Sequence, residues 1–203
     1  DALFGKTIFS KMDLKNGYYA VSLDEDSMWL TAFSVDGAGK FVFTKLPQGL
    51  KGSAAAFLKF MNGVLSGILY DICNNFVDDL LIYTDDEASH PAAVERVLTR
   101  LSNFKIKVNP RKCEFAVNKT AFLGHILTAE GILADPEKVR VIKDSPIPAT
   151  VTEVKSFSGL SGYYRRFIKN YAIIMGALTK LTCKNVKFEW TKSCQEAFDK
   201  IKK

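Results

Sequence analysis

Between residues 57 and 69, apolar side chains recur at helical spacing. Phe57, Phe60, Met61, Val64, Leu65, Ile68 and Leu69 fall at i, i+3, i+4, i+7, i+8, i+11 and i+12. One stripe of that kind predicts a helix with a core-facing side. A glycine-rich loop, Pro47-Gln48-Gly49-Leu50-Lys51-Gly52-Ser53, leads into it. Elsewhere the first half reads as short strands. Thr7 to Leu14 and Ala20 to Leu23 alternate, and Trp29 to Phe33 and Lys40 to Leu46 flank an Asp36-Gly37 hairpin signal. Ile72 to Val77 and Leu80 to Tyr83 form a further pair. Val94, Val97, Leu98 and Leu101 mark a second helix with Ser89 as its cap. Lys105 to Val108, Cys113 to Val117 and Ala121 to Leu127 read as strands.

From Asp135 the pattern is helical. Pro136 suits a first helical position, with Val139 and Ile142 facing inward. Thr150 and Glu153 have capping-box spacing before a helix marked by Val154, Phe157, Leu160, Tyr164, Phe167, Ile168 and Tyr171. Gly159 and Gly162 predict a bend or break in it. A last helix follows Phe188-Glu189-Trp190, capped by Thr191, with Ala197, Phe198 and Ile201 inward. The order predicts an α+β fold: a mainly antiparallel sheet with helices on one face, then a helical region.

The hairpin at Phe76-Val77-Asp78-Asp79 carries the chemistry. Its turn holds two adjacent carboxylates and no glycine, although hairpin turns favour Asn-Gly, Asp-Gly or Gly-Gly. Two like charges about 4 Å apart, at an effective dielectric of about 20, repel by roughly 4 kcal/mol. A cation or a shared proton relieves that cost. Asp13 ends the opening strand, and three carboxylates from two strands are the ligand set of a two-metal phosphoryl-transfer site. Alone, Asp78-Asp79 reads first as a solvated turn, and Asp13 as an ordinary strand-end acid or a helix cap.

Charge changes the picture at the C-terminal end. Residues 1–150 carry 17 Lys and Arg against 18 Asp and Glu, whereas residues 151–203 carry 11 against 4. A basic last quarter suits phosphate contact, and equally a solvated helical face. Cys73, Cys113, Cys183 and Cys194 lack CxxC spacing, and His90 and His125 lie at no zinc-ligand spacing from them. They read as reduced intracellular thiols. No apolar stretch reaches membrane-span length, and Asp1-Ala2-Leu3 opens no signal peptide.

The motif order resembles the reverse transcriptases of LTR retroelements and retroviruses, most closely the Ty3/gypsy retrotransposon type, as part of a pol polyprotein. Phe9 to Tyr18, Leu46 to Ser53 and Phe76-Val77-Asp78-Asp79 are similar to its first three motifs, the last with Phe where Tyr is usual. Asn109-Pro110-Arg111-Lys112-Cys113 and Phe122-Leu123-Gly124-His125 resemble the fourth and fifth. Tyr163 to Ile168 and Phe188 to Thr191 resemble the thumb and the start of the tether. The resemblance covers essentially the whole chain. It implies a nucleotidyltransferase, an RNA-directed DNA polymerase extending a primer 3′-OH on an RNA or DNA template. It implies a palm over 1–20 and 53–130, partial fingers over 21–52, a thumb over 131–185, and a truncated connection to a ribonuclease H tether over 186–203. The rest of the fingers is expected upstream of residue 1, which would leave the fragment alone poorly active.

The roles it implies are specific. Asp13, Asp78 and Asp79, with the Leu14 carbonyl, would hold two Mg²⁺ ions, Mn²⁺ being a substitute. Asn16 and Gly17 amides would meet phosphate, Tyr18 would exclude a 2′-OH, and Gln48 and Gly49 would border the nucleotide. Lys112 would lie near the leaving pyrophosphate. Leu123 and Gly124 would hold the primer, and Arg165, Arg166 and Lys169, on a basic helix, the duplex. Partners would be a template–primer duplex and deoxynucleoside triphosphates, without a membrane; a dimer and a cytoplasmic location, virus-like particles included, fit the resemblance. Two alternatives stand beside it: a non-catalytic nucleic-acid-binding or scaffold subunit, and a glycosidase carboxylate pair, which leaves the basic C-terminal quarter unexplained.

Overall fold

The computed structural model describes residue 3 and residues 5–203. Asp1 and Ala2, read above as opening no signal peptide, lie outside the described residues. The chain forms two compact units, Asp1–Phe122 with Ile126–Ile132, and Leu123–His125 with Leu133–Lys203.

The first unit is built on strand β1, Ile8–Lys15. Its buried Met12 and Leu14 alternate with part-exposed Lys11 and Asp13. Next come a short helix α1 (Glu25–Met28) and the hairpin β2 (Phe33–Val35) and β3 (Gly39–Phe41). Helix α2 (Ser53–Val64), the pair β4 (Cys73–Phe76) and β5 (Asp79–Thr84), and helix α3 (His90–Asn103) follow. Strand β1 lies centrally in the order β4-β5-β1-β6, where β6 is Lys107–Val108, and it also pairs with β7, Glu114–Val117. All these pairings are antiparallel. Helices α2 and α3 cover one face. Phe57, Met61 and Val64 of α2 and Ala93, Val97 and Leu101 of α3 share a core with Met12, Leu14, Leu80 and Ile82. Strands β8 (Lys119–Phe122), β9 (His125–Thr128) and β10 (Gly131–Ala134) form a small separate sheet.

In the second unit, α4 (Pro136–Lys143), α5 (Val151–Tyr163), α6 (Tyr171–Lys180) and α7 (Lys192–Lys202) bury Ile142, Val154, Phe157, Met175, Leu178 and Phe198 in one cluster. Thr150 caps α5 by accepting from the Glu153 amide at 3.2 Å, and the Glu153 carboxylate accepts from the Ala149 amide at 2.7 Å. Thr191 caps α7. Both caps match the sequence reading.

Several elements differ from that reading, and helix α2, for one, stops at Val64 rather than running to Leu69. Ala20 to Leu23 is no strand. A 3₁₀ turn at Gly17–Ala20 follows left-handed Asn16, leaving Ser22 and Lys45 only an isolated bridge. Trp29 to Phe33 begins helically instead, since the acidic Asp24-Glu25-Asp26 run suits a helix N-terminus. The run Ala121 to Leu127 splits at Leu123 and Gly124, whose φ values are +47° and +69°. Ser89 makes no side-chain cap; instead the Asp86 carboxylate accepts from the Ser89 amide at 2.8 Å.

Among the described residues no helix is long and apolar enough to cross a membrane. The four cysteines are free, and burial pushes the Cys73 thiol up to about 12, leaving it inert as a nucleophile.

Candidate active site

Strands β1 and β5 run antiparallel with Asp13 directly opposite Asp79. Residues so paired project from the same face, with Cβ atoms about 5 Å apart. Alternation turns Met12 and Leu14 into the core and leaves Asp13 outward, while Leu80 turns inward beside part-exposed Asp79. The core on one face therefore fixes the acids on the other.

Asp78 stands in the turn. Phe76 pairs with Asp79, so Val77 and Asp78 are the two turn residues. Val77 has φ +56°, at the position where tight hairpins place glycine. A β-branched residue there costs about 1–3 kcal/mol, offset in part by its packing against the core. Backbone bonds tie the turn to β1 and the following loop. The Leu14 amide donates to the Asp78 carbonyl at 3.1 Å, and the Asn109 amide donates to the Asp13 carbonyl at 2.9 Å.

The acids sense one another. Burial, the largest influence, pushes the Asp79 carboxyl above its ordinary value; Lys11 opposes it, Asp13 and Asp78 add to it, and Lys112 opposes it. The Lys112 ammonium lies 3.4 Å from the Asp13 carboxylate, an exposed and therefore weak ion pair. Among the described residues no three His, Cys, Asp or Glu side chains are grouped so that they could hold a metal ion as they stand. The donor set itself is hard: carboxylate oxygens, suited to Mg²⁺.

Gly17 and Tyr18 gain a reason that the sequence reading missed. A Cβ at Gly17 would stand 2.7 Å from the Phe57 ring, so glycine is demanded by packing against α2. The Tyr18 ring stacks on Phe57 with centroids 4.7 Å apart. Gln48 is exposed, and Gly49 has φ +93°. The Ser53 hydroxyl donates to the Pro47 carbonyl at 2.6 Å and so closes this loop onto α2.

A buried polar tie, also missed, braces β1. His90 Nε2 lies 2.7 Å from Ser10 Oγ, and Nδ1 lies 2.8 Å from Thr84 Oγ1. Thr84 donates its hydroxyl to the Asp86 carbonyl. Nδ1 therefore carries the proton, and Nε2 accepts from Ser10. Ser10 Oγ accepts in turn from the Ala116 amide at 3.0 Å, at the bulge where β7 gains a residue against β1. The signal in sequence was a lone serine inside an apolar strand.

The remaining expected residues lie in the second unit. Leu123 and Gly124 have their carbonyls engaged by the Tyr163 and Tyr164 hydroxyls, the latter at 2.8 Å. His125 stacks on Tyr163, and its Nδ1 is buried without a hydrogen-bond partner. Arg165, Arg166 and Lys169 are exposed but not on a helix face, contrary to the sequence reading. Helix α5 stops at Tyr163, just past Gly162, and Arg165–Phe167 is a 3₁₀ turn. The structure thus assembles Asp13, Asp78, Asp79 and Lys112 in the first unit and Leu123 and Gly124 with two tyrosines in the second.

Residues 2–127 match the family profile described as "Reverse transcriptase (RNA-dependent DNA polymerase)". The chain is 36% identical over its whole length to the "Retrovirus-related Pol polyprotein from transposon 297" of Drosophila melanogaster, covering 20% of that protein. It is 34% identical to the corresponding polyprotein from transposon gypsy of the same organism, over 96% of the chain and 20% of the relative. The chain thus spans about a fifth of the length of these relatives. Among solved structures, the foamy viral protease-reverse transcriptase in complex with double-stranded DNA matches 97% of the chain and 34% of its own, with a TM-score of 0.86 and 29% identity. The same protein in complex with an RNA/DNA hybrid matches with a TM-score of 0.82.

Proposed function

The chain belongs to the reverse transcriptase (RNA-dependent DNA polymerase) family, and from that premise we propose that it is the polymerase core of an RNA-directed DNA polymerase. It adds deoxynucleotides to a primer 3′-OH on an RNA or DNA template. The observation that carries this reading is the register: Asp13 opposite Asp79 across two central strands, with Asp78 in the adjoining turn. The first unit then serves as palm with part of the fingers, and the second holds the thumb.

Asp13, Asp78 and Asp79 would hold two Mg²⁺ ions, with the Leu14 carbonyl as a further donor. Such a pair supplies an activated 3′-oxygen and charge for the leaving pyrophosphate. Burial raises the Asp79 carboxyl most, and the Asp13 and Asp78 charges that add to it are the repulsion a divalent cation would relieve. The Lys112 ammonium orients Asp13 and can donate a proton toward the leaving pyrophosphate. Asn16, left-handed at φ +54°, turns the chain so that its amide and that of Gly17 can face phosphate. Tyr18, held by Phe57, presents a fixed ring to the nucleotide sugar and excludes a 2′-OH. Gln48 and Gly49 border the nucleotide from their exposed loop.

In the second unit, the tyrosine hydroxyls occupy the Leu123 and Gly124 carbonyls and hold that backbone rigid for primer. Arg165, Arg166 and Lys169 meet duplex phosphates. Mn²⁺ binding followed by electron paramagnetic resonance, together with primer extension on an RNA template, tests the reading. The native chain takes up Mn²⁺ and the longer polyprotein extends the primer, and Asp78→Asn loses both. Equal Mn²⁺ uptake by native chain and variant would remove the carboxylates from the metal site. Duplex binding with no extension, even by the longer polyprotein, would instead favour a scaffold subunit.

A further inference from the structure

The same strand that presents Asp13 presents Lys15 two residues on, hence on the same face. Lys15 stands directly opposite Lys107 of β6, so a basic like-charge pair follows the acidic pair along β1. Like charges directly opposite destabilise a sheet, and an anion between them would relieve that repulsion. Two adjoining cavities of about 1080 and 410 Å³ open here, both lined by Lys15, Lys105 and Lys107. Arg111 lines the larger, and Asn16 and Gly17 the smaller. No Asp or Glu lines either cavity, and among the described residues none of the four cations joins an ion pair. The floor of the larger cavity is aliphatic, with Leu101, Ile106 and Val108.

We propose that Lys15, Lys105, Lys107 and Arg111 form a second anion site that takes a free polyphosphate, either inorganic pyrophosphate or the polyphosphate tail of a nucleotide. Four cations on one trough match the several negative charges of such a ligand, whereas an isolated surface lysine does not. Lys112 stands apart from this set, because its ammonium is engaged by Asp13. The site needs no metal and no step of the reaction proposed above, although the smaller cavity shares Asn16 and Gly17 with the phosphate contact proposed there.

Titration calorimetry in a metal-free, EDTA-containing buffer tests the inference, with inorganic pyrophosphate as the first probe and ATP as the second. Pyrophosphate binds saturably to the native chain and as well to Asp79→Asn. Lys107→Gln and Arg111→Gln each weaken it on the order of tenfold, and the double variant abolishes it. All these side chains are exposed, and unchanged circular dichroism shows that the variants are folded. Equal affinity for both probes assigns the site to the phosphates alone; tighter ATP adds the aliphatic floor as a seat for the base. Absence of saturable pyrophosphate binding, or binding indifferent to Lys107 and Arg111, overturns the proposal. So does a single-stranded oligonucleotide held through the same cations more tightly than pyrophosphate, which would make the trough a strand path. A chain that binds pyrophosphate but extends no primer would retain this site and lose only the polymerase reading.

Discussion

The two units fix their candidate functional residues by different means. In the first, Asp13 and Asp79 ride on paired strands whose opposite face is fully buried, so a register slip would expose Met12, Leu14, Leu80 and Ile82. In the second, Leu123 and Gly124 lie in a left-handed break between strands, positioned by two tyrosine hydroxyls from the end of a helix. Acids are thus placed by many cooperative contacts, and the proposed primer-holding backbone by two hydrogen bonds. Function should therefore be lost by chemistry in the first unit and by loosening in the second.

The largest effect is expected from Asp79→Asn. If Asp79 is a metal ligand, primer extension falls by on the order of a thousandfold, since a bound cation supplies several kcal/mol of transition-state stabilisation. Stability moves the other way. A carboxyl whose pKa is raised on folding is destabilising when ionised, and the amide removes that charge beside Asp13 and Asp78. A melting temperature at neutral pH that rises while extension collapses marks a functional acid. A fall in both would mean that Asp79 serves structure.

Gly17→Ala probes the scaffold beneath the same acids. The added methyl would stand 2.7 Å from the Phe57 ring, and overpacking of that kind costs about 1–3 kcal/mol. Denaturant unfolding should show the loss, and pairing the change with Phe57→Leu should recover most of it. No recovery would mean that Gly17 is needed for its backbone freedom.

These cases also show what could be read in the sequence. The strand ending at Asp13, the acid doublet and the stripe from Phe57 were legible because alternation and helical period report burial directly, although the helix stops at Val64 and the stripe continues through turns to Leu69. The partner of Gly17 was not, since Phe57 lies 40 positions away and only the fold joins them. Nor was the break at Leu123, where the apolar run reads as one strand until Tyr163 and Tyr164 reach it from 40 residues downstream. The break that Gly159 and Gly162 predict does fall there, at Tyr163, but its anchor, Tyr164 drawn to Gly124, was not legible. Local pattern located the acids; hydroxyl contacts distant in sequence set the loops.

Tyr164→Phe tests the looser anchoring. It removes the bond to the Gly124 carbonyl while keeping the ring in its core, at a cost of about 1 kcal/mol. Hydrogen exchange should quicken at Gly124 and His125, with exchange in β1 and β5 unchanged. Quickening across both units would refute the contrast between them.

The smallest effect concerns pH and separates the units once more. His90 and His125 both have pKa values held below the ordinary 6.5, His90 by burial and His125 by burial and then by the Arg166 charge. The unfolded chain therefore binds protons more readily than the folded one, and stability declines as pH falls through about 6.5 toward the folded-state values. In His90 the charged ring would carry a second N–H toward Ser10 Oγ, displacing the hydroxyl proton that now bonds Nε2. Replacing Arg166 by Gln removes only the second influence on His125. Nuclear magnetic resonance titration should then show the His125 ring moving up toward its ordinary pKa while His90 stays put. An unmoved His125 would mean that burial alone sets its proton affinity, and that the arginine is free to serve an anion instead.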